Sequence, residues 1–263
     1  MRVAQITLRN ASEYERKCRR VDRVALAGEH EIVEDERGAD IVHVYGAGVR
    51  RPRLWSKTVR ITPLQDEGRG AQGAGRRWLP SREHRLRPAP CALRPVEYIP
   101  EAVEEQYLAH DASAGSGVGV FVRLSTREIL DQIRIRLHRT RDDVEWHLFD
   151  RVPTPDDLVQ VAVWLDPALD DGDFDGFVAE ALAMGRLVVA SRTPINVQRL
   201  EKGRCGFLVP PRDANETVHA ILTALFKPEV GTPRSDAARQ TVSKFKPRQR
   251  ARALTRLYER LRS

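Results

Sequence analysis

The stretch AVWLDPALDDGDFDGFVAEALAMGRLVVAS, residues 162–191, changes period three times. It opens as the short apolar run AVWLDPAL and breaks into the acidic turn DDGDFDG. A helical pattern over 176–184 comes next, stopped by Gly185, and the second apolar run RLVVAS closes it. Strand, turn, helix and strand in that order predict a βαβ unit with parallel strands. One residue is out of character. Glu180 stands as a lone carboxylate directly before ALAMG, and charged side chains are rarely buried without a partner. It faces either solvent or a ligand.

The same alternation extends outward from this unit. Upstream, GVGVFVRL reads as a strand and STREILDQIRIRLHRT as a helix, with Ser125 as N-cap and Ile129, Ile133 and Leu137 on one face. VEWHLF is a further strand and PTPDDLVQVA a short helix. Downstream come the short helix PINVQRLEKG, the strand GFLVPP, and the helix DANETVHAILTALF capped by Asp213. The closing KPRQRARALTRLYERLRS is a helix with Pro247 in its first turn. It carries Ala251, Leu254, Leu257, Tyr258 and Leu261 on one stripe and arginines on the other. The pattern predicts an α/β fold, a parallel sheet covered on both faces.

The N-terminal third reads as strand RVAQIT, helix ASEYERKCRRVDRVA, strand EHEIVED and buried strand ADIVHVYG. Residues 66–90 hold four Gly, three Pro and six Arg with no apolar period, and are expected to form a long loop or to be partly disordered. Their GxG-like spacing follows no clear strand and opens no helix, so as a dinucleotide fingerprint it is weak. The expected division is 1–110 and 111–263, with a closing helix 247–262 in the second domain.

The chain has 263 residues, 41% of them apolar, and no run of eighteen apolar residues. MRVAQITLRN is too short an apolar stretch for a secretory signal and reads as a first strand. Cys18, Cys91 and Cys205 stand apart with no CxxC, which argues against zinc or a disulfide framework and for a reducing cytoplasm. The net charge of +7 is uneven. Residues 50–90 hold eleven Lys/Arg against three acids, and residues 234–263 ten against two. Such segments are solvated surface or attract phosphate, whether in a nucleotide, a nucleic acid or an anionic lipid. The arginines lack interleaved aromatics and no nucleic-acid-binding signature occurs, so nucleic acid is the least favoured partner.

Four stretches carry a resemblance: AVWLDPAL, FDGFVAEALAMGRLVVAS, GRCGFLVPPRDANE and SKFKPRQRARALTRLYERL. In order and near spacing, residues 116–263 resemble the C-terminal, donor-binding domain of the GT-B glycosyltransferases, in particular the large retaining family 4. DIVHVYG resembles a strand end in that family's N-terminal domain. The resemblance implies two Rossmann-like domains in GT-B arrangement, the N-terminal one reduced. It implies transfer of a sugar from a nucleotide-sugar (a UDP-, GDP- or ADP-sugar) to an acceptor hydroxyl, with retention and no tightly bound cofactor. The acceptor is a saccharide or lipid-linked. A cytoplasmic enzyme is the matching expectation, with the basic C-terminal helix as solvated surface first and as a peripheral attachment to the inner membrane face second.

Carried over by position, Glu180 holds the donor ribose. Backbone at Gly176, Phe177 and Val178 meets the diphosphate, which Arg123 and Arg127 neutralise. Asn196, with Arg199, contacts the donor sugar. His43 falls near the interdomain cleft as a catalytic candidate, against the alternative of a core or surface histidine. The family's first glutamate belongs at 172, where this chain has Gly172; Asp173 and Asp175 are the nearest substitute carboxylates, with Asp171 beside them. Oxygen ligands of this kind suit Mg²⁺, yet an acidic turn capping a helix needs no metal, and none is expected. The N-terminal portion lacks the glycine-rich turn after its first strand, having ITLRNASEY instead. Gly172 and that shortened portion support a second reading, a degenerate glycosyltransferase that binds a nucleotide or partner without turnover. A basic nucleic-acid-binding module is the third.

Overall fold

The computed structural model describes residues 2–7, 13–33, 39–45, 58–65, 78–85, 97–98, 102–109, 115–169 and 176–262. The chain divides into two compact units. The first comprises Met1–Gln65, Pro80–Glu104 and Lys244–Ser263, and the second Asp66–Leu79 and Glu105–Ser243. The division therefore differs from the expected 1–110 and 111–263: the closing helix belongs to the N-terminal unit.

That unit contains β1 (Arg2–Thr7), α1 (Glu13–Leu26), β2 (Glu31–Val33), β3 (Ile41–Tyr45), β4 (Thr58–Gln65), β5 (Trp78–Arg85) and β6 (Glu97–Tyr98) in one sheet with its helix. The strand order is β2-β1-β3-β4-β5-β6. β1 runs parallel to β2 and β3, and β3 parallel to β4, while β5 and β6 are antiparallel. β5 lies inside the segment expected as loop; its sequence WLPSREHR has no period-two alternation to announce it. The remainder of that segment, 66–77 and 86–90, lies outside the described residues.

The C-terminal unit runs α2 (Glu105–Leu108), β7 (Ser116–Phe121), α3 (Arg127–Thr140), β8 (Trp146–Phe149), α4 (Pro155–Val159), β9 (Val161–Asp166), α5 (Val178–Ala183), β10 (Leu187–Ser191), α6 (Pro194–Arg199), β11 (Phe207–Val209), α7 (Ala214–Phe226) and α8 (Pro228–Thr241). Its five strands are all parallel, in the order β11-β10-β9-β7-β8. α3 turns Ile129, Ile133 and Leu137 into a core shared with Val118, Val120, Val163, Leu165 and Val189 of the sheet and Val218 and Ile221 of α7. Asp213 caps α7 as its sequence predicts, accepting from the N–H groups of Asn215 and Glu216. Ser125 does not cap α3. A 3₁₀ turn over Leu124–Thr126 precedes that helix, whose N-cap Thr126 makes no side-chain capping bond.

The last helix, α9 (Pro247–Arg262), shows its apolar stripe in use. Ala251, Leu254 and Tyr258 are buried with Val3, Leu26 and Ile41 in the core of the N-terminal unit. Sequence periodicity specifies the face, and its partners are the first strands and α1 of the same unit. Among the described residues no helix is long and apolar enough to cross a membrane.

Candidate functional site

The strand order of the C-terminal unit places β7 between β8 and β9, so connections leave β7 to one side and arrive at β9 on the other. At such a switch point the loops after the two strands diverge, and the crevice beyond their carboxyl ends is where open parallel sheets bind ligands. The site is built from the turn after β7, the last residue of β9 and the entry to α5.

Asp166 is the last residue of β9 and is 1% exposed. Arg123, two residues past β7, reaches across the switch point to it: Nη2 donates to Oδ1 at 2.5 Å. The arginine side chain retains 12% exposure against 1% for that of the aspartate, so what is exposed of the pair is on the arginine side. The second carboxylate oxygen accepts from Asn196 Nδ2 at 2.8 Å. Asn196 is fully buried in the first turn of α6, where its backbone N–H donates to the Thr193 capping hydroxyl. Its Nδ2 also donates to the Ser191 carbonyl at the end of β10. One carboxylate thus ties together the carboxyl ends of β7, β9 and β10.

The chain then returns to the same carboxylate. A Cβ placed on Gly176 would overlap Asp166 Oδ1 and fall 2.6 Å from its Cγ, so only glycine permits this approach. Trp164, on the same face of β9 as Asp166, donates its indole N–H to the Gly176 carbonyl at 2.7 Å. The ring is fully buried and stacks on Phe149, and it occupies space that Gly119 on β7 leaves open. Phe177, next in the chain, has a left-handed backbone (φ 54, ψ 28), which is costly for an aromatic residue, and its ring meets Phe121 edge to face at 4.9 Å. α5 therefore begins at Val178 rather than at Gly176, and spans six residues. Its first-turn N–H groups lack intrahelical partners by helix geometry, and its N-cap residue supplies no side-chain bond.

The expected site residues divide between the crevice and the interior. Glu180 lies in the first turn of α5 and is 1% exposed, which removes the solvent-facing alternative. Arg123 is at the crevice, its charge matched by Asp166. Arg127, the first residue of α3, is exposed at the same edge of the sheet. Gly176, Phe177 and Val178 form the entry to α5. Asn196 corrects the expectation of a sugar contact, because its carboxamide donates to Asp166 and Ser191 inside the protein. His43 sits in the interior of the N-terminal unit, fully buried, with Nδ1 2.5 Å from the Tyr258 hydroxyl. Burial, and then the charge of Arg250, hold it neutral with a pKa well below the usual histidine value. Asp173 and Asp175, with Asp171 and Gly172, lie outside the described residues. Asp166 is the residue sequence reasoning missed. Its signal was the one that singled out Glu180, a lone carboxylate closing the apolar run VAVWL.

Residues 126–226 match the family described as Glycosyl transferases group 1, from the turn before α3 to the end of α7. No protein of curated function matches the chain in sequence. Among solved structures, the chain is similar to a glycosyltransferase from Rickettsia africae ESF-5, with a TM-score of 0.62 and 10% identity over 99% of this chain and 98% of that one. It is similar over 62% of its length to S. aureus TarM in complex with fondaparinux, alpha-GlcNAc-glycerol and UDP, covering 38% of that chain (TM-score 0.46, 13% identity). A sucrose-phosphate synthase from Thermosynechococcus elongatus is matched over 63% of this chain and 52% of that one (TM-score 0.49, 18% identity). The chain thus spans less than two thirds of these last two proteins. The Rickettsia structure establishes the fold, α/β with Rossmann-like units of the kind that build GT-B glycosyltransferases.

Proposed function

We propose that this chain, whose residues 126–226 carry the resemblance to the group 1 glycosyl transferases, moves a sugar from a nucleotide-sugar donor to an acceptor hydroxyl. The observation that carries the reading is the convergence at the β7/β9 switch point. Arg123, the close-packed backbone at Gly176–Phe177 and the enclosed carboxylate of Glu180 all belong to elements that end or begin there. Each has a part in the chemistry. Departure of a nucleoside diphosphate leaves an oxocarbenium-like sugar and builds negative charge on the leaving group. Arg123 and Arg127 offer positive charge to that diphosphate, and the N–H groups entering α5 offer donors. The carboxylate of Glu180 accepts from two vicinal ribose hydroxyls and so orients the donor. Retention of configuration accompanies this reading, as does a UDP-, GDP- or ADP-sugar as substrate with no tightly bound cofactor.

The acceptor in this proposal is a saccharide or a lipid-linked hydroxyl. Arg248, Arg252 and Arg256 are exposed at four-residue steps along α9 and make a basic strip facing away from its buried stripe. A strip of that kind suits an anionic membrane surface on the cytoplasmic side. Loss of co-sedimentation with phosphatidylserine vesicles in the triple Arg→Gln variant at these positions would support the attachment.

A second reading has its own observation. Arg123 is already matched by Asp166, and Gly172 stands where a catalytic glutamate is expected, as in a scaffold that binds nucleotide without turnover. Calorimetry with UDP, GDP and ADP, with and without Glu180→Ala, tests the donor site, and consumption of the corresponding nucleotide-sugar then separates the two readings. Binding of one diphosphate that Glu180→Ala abolishes supports the site. Absence of binding at millimolar ligand sinks it.

A further inference from the structure

We infer that Asp166 is a built-in competitor for the donor's diphosphate: it holds Arg123 while the crevice is empty, and it sets how tightly the site grips, and how readily it releases, a nucleoside diphosphate. The inference rests on the donor-site reading and deepens it.

Three observations lead there. The pair straddles the switch point, the one place in the sheet where a ligand crevice is expected, so the charge of Arg123 bears on any anion bound there. The pair is also asymmetric. Asp166 is enclosed at 1% exposure, whereas Arg123 keeps 12%, so an incoming anion meets the arginine and not the carboxylate. Finally, Asp166 is already engaged inside the protein. Its two oxygens accept from Arg123 and Asn196, and Gly176 is packed against it. This excludes it as a replacement for the missing glutamate at the sugar while the pair is closed.

The electrostatic consequence is direct. An arginine offers a diphosphate a full positive charge only if no carboxylate has already matched it. With Asp166 at 2.5 Å the charge of the guanidinium is partly offset, and a bound diphosphate must share it with a fixed anion that cannot leave. Affinity for diphosphate is lowered accordingly, while contacts to ribose and base are untouched. For a transferase this has a use: the nucleoside diphosphate left after transfer departs as Asp166 takes Arg123 back.

Asp166→Asn keeps the shape and, with its one oxygen turned to Arg123, that bond, while deleting the negative charge and giving up the bond from Asn196 Nδ2. Binding of UDP, GDP and ADP, and of the matching uncharged nucleosides, is measured by calorimetry for the wild-type chain and this variant. We expect the diphosphate that binds to bind about tenfold or more tightly in Asp166→Asn, with the nucleoside unchanged. A structural role for Asp166 gives equal or weaker binding, and that result overturns the inference while leaving the donor site standing. Failure of both proteins to bind any diphosphate overturns the donor-site reading, and the inference with it. Should Asp166→Asn not fold, the double variant Arg123→Leu/Asp166→Leu decides, since apolar replacement of a whole buried pair is well tolerated. Diphosphate binding reduced about tenfold or more upholds the part given to Arg123, and undiminished binding overturns the inference.

Discussion

Two buried arginine–aspartate pairs among the described residues have the same length and opposite character. In the N-terminal unit Arg250 of α9 grips Asp22 of α1 as a fork, Nε to Oδ1 at 2.5 Å and Nη2 to Oδ2 at 3.1 Å, with both side chains at 1% exposure or less. In the C-terminal unit Arg123 meets one oxygen of Asp166 and Asn196 takes the other, and the arginine remains 12% exposed. A closed fork satisfies both carboxylate oxygens from one cation and leaves nothing to offer a ligand. A shared carboxylate beneath a partly open cation is poised to exchange partners. The number of ion pairs says little about either unit. What separates structure from function is whether one end of the pair can still be reached.

The contrast is tested most severely by removing one member of the sealed pair. Arg250→Ala takes from the buried Asp22 its two-pronged cationic partner, and the expected loss is about 3–5 kcal/mol of stability. Urea denaturation followed by tryptophan fluorescence and circular dichroism measures it. A loss under about 1 kcal/mol would mean that water reaches the pair and that it is not sealed.

A smaller effect is expected at the open pair when its packing is disturbed without touching its charges. Gly176→Ala drives a methyl group into Asp166 Oδ1, so the carboxylate or the entry to α5 must shift. The expected destabilisation is about 1–3 kcal/mol. On the proposed function, nucleotide affinity changes along with it. Unchanged stability and unchanged nucleotide binding together would show that this approach is not part of the site.

The sealed region also has a pH signature. His43 is held neutral in the folded chain, so its folded pKa lies below the unfolded value of about 6.5. Between those two values the unfolded chain binds the extra proton, and stability falls as pH falls. The contribution is fully present above about pH 6.5 and declines below it at about 1.4 kcal/mol per pH unit for this one group. The difference in urea midpoint between the wild-type chain and His43→Gln, followed from pH 7.5 to 5, isolates it from His30, whose pKa is also lowered by partial burial. A pH-independent difference would remove His43 from the sealed cluster.

These regions were unequally legible in the sequence. The βαβ succession from GVGVFVRL to the end of α7 was readable because each element carries an unbroken period, and the apolar stripe of α9 was readable for the same reason. The destination of α9 was not. Periodicity marks a face to be buried but not its partner, and Asp22 lies 228 residues from Arg250. Glu180 stood out as a charge inside an apolar helix. Asp166 carries the same mark but stands before Pro167, where an aspartate reads as an ordinary turn residue. Its meaning depends on Arg123 and Asn196, which are local to it only in space. Asn196 was read as a ligand contact because its place in the chain is near the site, whereas its burial is a property of the packed α6 turn.

The finest distinction between the pairs rests on a variant that should barely change stability. If Asp22 and Arg250 serve only to close the core between α1 and α9, replacing both by leucine removes two desolvated charges as well as their attraction, and stability should stay within about 1 kcal/mol of wild type. His43 loses the nearby positive charge that helps keep it neutral, so the decline in stability below pH 6.5 should soften in this variant. Nucleotide binding should not change, because both residues are sealed inside the N-terminal unit, whereas the proposed donor site is built from the C-terminal one. The same replacement at Arg123 and Asp166 should be equally mild in stability yet costly in diphosphate binding. Equal binding losses in the two double variants would mean that neither pair acts on the ligand directly and that the difference in exposure carries no functional meaning. Equal stability with unequal binding would leave exposure as the property that distinguishes a pair that closes a core from a pair that waits for a ligand.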